Sequence, residues 1–291
     1  MAGIVVALVL TLVSAFALNV GYLIEYSVAS KLPPLSFRRP IASLRLLLRP
    51  RWLMGFGIEV SGWLLYVLAL ALAPLSLVQA TAAGGIGILA VMVSRYTGVP
   101  LTPMEQVGSV LSVAGLAILG ISLAGNADKG TAGSEVAVAL WLAASAVVTV
   151  LALRLGPRLI GAGPSFGVAA GTFFAAGDVS TKTTVAGGEH TVFIPALIIC
   201  YALGSLVLQQ AFQRANALVA AGLATLFTNA LPIAAGMTIF EEPLPSGVLG
   251  ALRIIAFALV IAGAVCLARH QRGGVAVDVP PGESVRPVGV G

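Results

Sequence analysis

Three ionisable side chains stand inside otherwise apolar stretches of this chain: Glu59 in WLMGFGIEVSGWLLYVL, and Asp178 with Lys182 in GTFFAAGDVSTKTTV. A charge surrounded by hydrocarbon is expensive, and it is kept where it holds an ion, moves a proton or meets a partner. Glu59 has Gly55, Gly57, Ser61 and Gly62 for neighbours, which leaves room for a ligand or for a closely packed helix. Ionised, it would attract a cation; protonated, it would exchange a proton. The structural alternative is an ion pair with a loop arginine such as Arg51. Asp178 and Lys182 are spaced i, i+4, so on a helix they share a face and can pair directly. That pair reads equally as structural or as a place where a substrate competes for Asp178. Arg253 lies just inside another apolar stretch. It could bind an anionic substrate, snorkel to the surface, or pair with Glu241 or Glu242.

A second set is neutral: Asn19, Gln79, Thr81, Gln209, Gln210, Asn216, Thr225, Thr228 and Asn229. Singly, each reads as an interhelical hydrogen bond. Their concentration toward the hairpin ends of apolar stretches points to a polar-lined cavity. The run AAGGIGI, with Gly84, Gly85 and Gly87, resembles a dinucleotide loop only superficially. No strand precedes it, so close helix packing is the reading. The two histidines, His190 and His270, form no metal-binding pattern, and no nucleophile elbow or phosphate loop is present. An enzyme is not expected, nor a cofactor.

The elements that must position these groups follow from composition. Hydrophobic residues make up 58% of the 291-residue chain and charged ones 9%; mean hydropathy is +1.03. Soluble domains are far more charged, so an all-α polytopic membrane protein is expected. The 34 glycines fit helices that approach closely. The basic residues occupy loops, which excludes a nucleic-acid-binding domain, and Cys200 and Cys266 lie in apolar runs, unsuited to a disulfide framework. Spans of roughly 17–25 residues are expected at about nine places: 3–24, 52–73, 74–95, 105–124, 134–153, 164–186, 191–213, 217–240 and 247–268. Residues 25–51 read as a basic loop with a short interfacial helix around Ile41–Leu48, a degenerate tenth span being the alternative. Residues 269–291 read as a disordered cytoplasmic tail.

With the N-terminus outside and the C-terminus inside, one set of loops holds Lys31, Arg38, Arg39, Arg45, Arg49, Arg51, Arg95, Arg154, Arg158, Arg214, Arg269 and Arg272. The other set holds Lys129 with Asp128, Glu189, Glu241 and Glu242. That is the positive-inside asymmetry. The joint in ALALAPLSLVQ (69–79) is echoed in QQAFQRANALV (209–219), the first carrying Pro74 and the second Arg214. Gly108 and Gly120 are echoed by Gly250 and Gly263, and VPLTPMEQVG (99–108) by EEPLPSGVLG (241–250). Matching hairpins of opposite orientation mark an inverted repeat, as in secondary transporters. Residues 1–124 are then a first repeat of four spans and residues 125–268 a second of five.

The hairpin from Trp52 to Ala80, followed by a pair ending GLAILGISLAG, resembles the drug/metabolite transporter superfamily, and within it the NIPA-type family of magnesium transporters. That family shows nine spans, a Gly-x-Gly-Glu-like opening of the second span and an Ala-x-x-Pro hairpin. These match Gly55, Gly57, Glu59, Ala71 and Pro74, with Ile58 inserted before the acid. That insertion turns Glu59 by about 100° relative to the glycines. GTFFAAGDVSTK (171–182) and SLVLQQAF (205–212) resemble the corresponding segments of the second half. The resemblance covers about residues 3–268 and implies alternating access between two repeats.

The cargo favoured by the mixed signs of Asp178, Lys182 and Arg253 is a small organic metabolite or amphiphile. The alternative is magnesium or another divalent cation, with Glu59 and Asp178 as the metal-binding acids, and the second alternative is a non-transporting membrane scaffold. The expected path residues are Glu59, Asp178, Lys182, Asn19, Gln79, Gln209, Gln210, Asn229 and Arg253. The expected surroundings are the lipid bilayer of a cell (inner or plasma) membrane, with a homodimer compatible and no nucleic acid. Whether Glu59 and Asp178 share one cavity separates a transporter from a scaffold.

Overall fold

A computed structural model describes residues 2–32, 49–82, 84–98, 100–123, 131–242 and 247–273, and the described residues are almost entirely helical. The helices, in chain order, are α1 (Ala2–Ala29), α2 (Pro50–Leu72), α3 (Leu75–Ala82), α4 (Gly84–Thr97), α5 (Pro103–Leu123), α6 (Glu135–Arg154), the short α7 (Gly156–Leu159), α8 (Ala162–Val185), α9 (Ile194–Phe212), α10 (Ala217–Thr238) and α11 (Val248–Gly273). A 3₁₀ segment, Gly188–Phe193, leads into α9. Among the described residues, five helical segments are long and apolar enough to cross a membrane: Gly3–Ala29, Pro50–Leu72, Glu135–Arg154, Gly188–Phe212 and Ala217–Thr238. Val5, Val9, Leu12, Phe16, Leu64, Leu140, Val147 and Ile198 point outward from them, a surface that suits lipid and not water. The chain is a multi-pass membrane protein.

Local chemistry explains where the helices begin. Pro50 opens α2, where its missing N–H costs nothing. Ser134 caps α6 by accepting from the amide of Ala137, and Asn216 caps α10 by accepting from Val219 N at 2.9 Å. At α5 the sequence TPME forms a capping box: Glu105 accepts from the amide and hydroxyl of Thr102 at 3.0 and 2.9 Å. Two boundaries differ from expectation. α1 continues to Ala29, so the segment expected to be loop from residue 25 starts as helix; nothing in EYSVA breaks it, and its glutamate finds partners inside the bundle. α11 runs to Gly273, taking residues 269–273 from the expected disordered tail. The expected helix at 41–48 and most of the tail lie outside the described residues.

α8 is the central helix, buried along nearly its whole length from Gly163 to Thr183. It needs no apolar face toward lipid, which is why its sequence runs to Gly, Ala, Ser and Thr. α6, α9 and α10 pack around it, α1 packs along α2, and α5 packs along α11. The small residues set these distances. A Cβ on Gly171 would strike the carbonyl of Ala224, and one on Gly204 would lie 2.7 Å from the ring of Phe174. Gly21 and Gly55 bring α1 onto α2, with the Gly55 carbonyl 2.9 Å from where a Gly21 Cβ would be. The echoed glycines Gly108 and Gly263 meet across the α5–α11 contact, where a Gly263 Cβ would sit 2.9 Å from the Gly108 carbonyl. Gly85 packs α4 on α1 beside Asn19, the role expected for that glycine run.

Two buried acids tie the helix ends together. Glu242 Oε1 accepts from the amide of Leu75 at 2.8 Å and so caps α3 just after Pro74. Glu241, at φ 52°, turns the chain for this, and Gly236 leaves space for the carboxylate. At the opposite end of α10, Glu105 Oε1 accepts from Asn216 Nδ2 at 3.0 Å, beside the joint that carries Arg214. The Arg214 guanidinium stacks on Phe166 at 4.3 Å and donates to the Gln210 carbonyl at 2.6 Å.

Gly171→Ala is expected to lower stability by about 1–3 kcal/mol, since the backbone of α10 cannot yield to the added methyl. Gly57→Ala, where the methyl meets nothing within 4 Å, serves as the neutral comparison. Thermal unfolding of the detergent-solubilised chain measures both.

Candidate functional site

A cavity of about 610 Å³ lies between α1, α2, α3, α8, α9 and α10. Glu59 and Asp178 both line it, as do Asn19, Gln79, Gln209 and Asn229. Six of the nine residues expected on the path therefore converge on one space. Trp52, Phe56, Trp63, Phe174 and Ile198 supply apolar wall between the polar groups. No Lys, Arg or His is among the described residues that line it.

One end of the cavity belongs to Asp178. Tyr201 donates to its Oδ1 at 2.6 Å, and Gln79 Nε2 donates to its Oδ2 at 2.8 Å. The same Gln79 nitrogen lies 2.7 Å from the Tyr66 hydroxyl. Tyr201 is held from three sides. The edge of its ring rests over Gly177, where a Cβ would lie 3.0 Å from it; Trp63 packs against it edge-on at 5.4 Å; the Thr181 hydroxyl is 3.3 Å from its own. Glycine at 177 is thus what lets the tyrosine reach the acid one residue on. The groups around this carboxylate are neutral donors. Lys182, one turn further along α8, borders a separate small pocket formed by Leu70, Ala71, Thr131, Ala132, Val185 and Ala186. The direct Asp178–Lys182 pairing expected from spacing is not what occupies the acid.

The other end belongs to Glu59, and here a residue that sequence reasoning left in a loop matters most. Glu25, 1% exposed in the last turns of α1, is a close neighbour of Glu59, whose Cβ packs against Gly21, one turn before Glu25 on the same helix. Gln209 Nε2 donates to Glu25 Oε2. Glu25 Oε1, Glu59 Oε2 and Gln209 Oε1 are buried without a hydrogen-bond partner, and Asn19 Oδ1 and Thr225 Oγ1, elsewhere along the cavity, are in the same condition. The arginine considered for Glu59, Arg51, is outside this arrangement; the neighbour is a second acid. Unpartnered buried oxygens are costly, and two adjacent carboxyls compound the cost unless a proton or a cation lies between them.

Of the remaining expected residues, Gln210 is buried by the α9–α10 joint and outside the cavity lining, while Asn229 donates to Thr225 O at 2.7 Å. Arg253 falls in α11, and its side chain is outside the described part of the structure. Tyr22, Tyr66 and Tyr201 were not singled out, because aromatic residues in apolar spans read as packing. The signal for Glu25 was present: apolar residues flank it on both sides, Tyr22, Leu23 and Ile24 before it and Tyr26, Val28 and Ala29 after it.

The chain is similar to a "probable magnesium transporter NIPA9" of Arabidopsis thaliana, 26% identical over 285 residues that cover 90% of this chain and 82% of the relative. The NIPA-type resemblance read from the motifs thus extends over nearly the whole sequence. No protein-family profile matches the chain, and no solved structure matches it.

Removing the Tyr201 hydroxyl leaves Asp178 Oδ1 short of a donor in a dry environment. Tyr201→Phe is expected to cost about 1–3 kcal/mol, and the double variant with Asp178→Asn to recover part of it. A double-mutant cycle in thermal unfolding reads the coupling.

Proposed function

We propose that the protein is a secondary transporter of a divalent cation, magnesium being the cargo the comparisons favour, working by alternating access between two inverted repeats. The observation that carries this reading is the electrostatic character of the cavity. Glu59 from α2, with Glu25 behind it, meets amide and hydroxyl oxygens, with no basic side chain among the described lining residues. Magnesium prefers oxygen ligands and keeps several of its waters, so one or two carboxylates suffice, and a cavity of about 610 Å³ accommodates a hydrated ion. The relative, named as a probable magnesium transporter, supports the same cargo. The organic-solute reading leaned on a mix of signs from Asp178, Lys182 and Arg253. Lys182 borders another pocket, so among the described side chains no cation joins Asp178 in the cavity. An amphiphilic organic cation is the second reading, favoured by the aromatic walls.

The inverted-repeat arrangement, with about nine spans split four and five, draws support from the packing. α1 lies along α2 as α8 lies along α9, and the terminal spans α5 and α11 meet at their echoed glycines. The carboxylate clasps echo each other as well. Glu242, just ahead of α11, caps the start of α3 in the first repeat, and Glu105, at the start of α5, binds the cap of α10 in the second. With the N-terminus outside, the Glu242 clasp lies at the outer end and the Glu105 clasp at the inner end. Each joins one repeat to the other. Opening the cavity outward loosens the first, and opening inward loosens the second. A cell membrane, inner or plasma, is the expected location.

Liposomes loaded with a magnesium-sensitive dye are expected to show Mg²⁺ entry with the wild type. Glu59→Gln should slow entry by about tenfold or more, the loss of about 1.4 kcal/mol or more of interaction. No entry with folded, correctly inserted protein would reject the cation reading, and uptake of amphiphilic cations would then favour the second. Independently, Glu242→Gln is expected to raise labelling of an introduced Ser205→Cys from the outer side, and Glu105→Gln from the inner side. Impermeant thiol reagents on oriented vesicles, in a Cys200→Ser, Cys266→Ser background, measure this.

A further inference from the structure

We infer that the transported cation is held at the Glu59 end of the cavity, by Glu59, by Glu25 just behind the lining and by the side-chain oxygen of Gln209, and that Asp178 is not one of its ligands. The inference rests on the cation reading above and deepens it.

The two acidic ends of the cavity differ in what their oxygens already do. Both oxygens of Asp178 accept hydrogen bonds, from Tyr201 at 2.6 Å and from Gln79 at 2.8 Å. A cation entering there would share each oxygen with a donor that already draws on its charge and is itself packed in place. At the other end the donors are few and the free oxygens many. Glu25 Oε1, Glu59 Oε2 and Gln209 Oε1 are buried and unpartnered, in side chains that are 1%, 8% and 1% exposed respectively. They come from α1, α2 and α9, so an ion between them would bridge three helices. Gly21 and Gly55 bring the α1 and α2 backbones close enough for the two carboxyls to meet.

The composition of this set selects the chemistry. It contains no sulfur or imidazole, and among the described residues no group of three His, Cys, Asp or Glu forms a metal cage. Two carboxylates, an amide oxygen and open cavity on one side suit a small hard dication that retains water, and suit zinc or copper poorly. An ion so held is also easily released, because the cavity supplies water to replace the protein ligands. That is what a carrier requires of its site.

The test is direct binding, read by two probes on the full-length chain in detergent: Mg²⁺ by titration calorimetry, and Mn²⁺ by loss of its free-ion paramagnetic resonance signal. The wild type is expected to bind either ion. Glu25→Gln and Glu59→Gln are each expected to weaken binding by about tenfold or more, while Asp178→Asn leaves it within about threefold. Gln209→Glu keeps the proposal testable should a charge-removing variant misfold. A third carboxylate should destabilise the ion-free protein and enlarge the rise in melting temperature produced by Mg²⁺. Unaltered binding in Glu25→Gln, or loss of binding in Asp178→Asn with unchanged folding, would overturn the site. If liposomes still show Mg²⁺ entry in either case, the cation reading survives and only the site fails. Wild type that neither binds nor admits Mg²⁺ overturns both.

Discussion

A carboxylate in a bundle of apolar helices has to be met by donors, by a proton or by a cation, because the hydrocarbon around it offers nothing. Much of this structure follows from how its buried acids meet that demand. Glu242 and Glu105 serve helix starts, where they accept from backbone amides and from the capping Asn216. Asp178 has each oxygen engaged, one by a tyrosine and one by a glutamine. Glu25 and Glu59 face each other and stay incompletely satisfied. The first two uses hold the architecture together, the third lines the cavity, and the last leaves the unmet electrostatic demand on which the proposed cation site rests.

Small residues make these pairings geometrically accessible. The central α8 is almost free of large side chains at its contacts, so α10 approaches it at Gly171 and Tyr201 passes over Gly177. Between helices in lipid there is no hydrophobic drive to association, and close backbone approach with buried polar bonds does that work. The same glycines thus serve stability and site together. They bring the backbones near enough for dispersion, and they set the register in which Asp178 meets Tyr201 and Glu25 meets Glu59. Large apolar side chains cover the outward faces, line the cavity wall and fill two buried clusters, one with Leu208, Phe212 and Leu218 and one with Leu70, Leu75 and Phe240.

Much of this was legible in the sequence. Hydropathy sums over some twenty residues, a local property, so the membrane class and the helical character of the chain followed from residue order. Isolated charges in apolar runs likewise announced Glu59 and Asp178, and the amides Asn19, Gln79, Gln209 and Asn229 gathered where a polar cavity was expected. The segment from residue 25 was misjudged because Glu25 opens a stretch rich in Pro and Arg further on. A charge at a helix end reads as the start of a loop until its partner on another helix is known.

Tertiary structure alone decided which groups meet. Helices that are apolar nearly all round carry little periodic signal to say which face turns inward. Rotation and register between helices therefore could not be read from any one of them. Lys182 shares a helix face with Asp178 by spacing, yet it borders a different pocket. Glu25 and Gln209, separated by 184 positions, share a hydrogen bond. The residue types set what chemistry was available in the membrane; the packing of α1, α2 and α9 set where two acids would be left without enough donors. The reason is one of range: burial propensity belongs to a segment, whereas the partner of a buried oxygen belongs to the whole bundle.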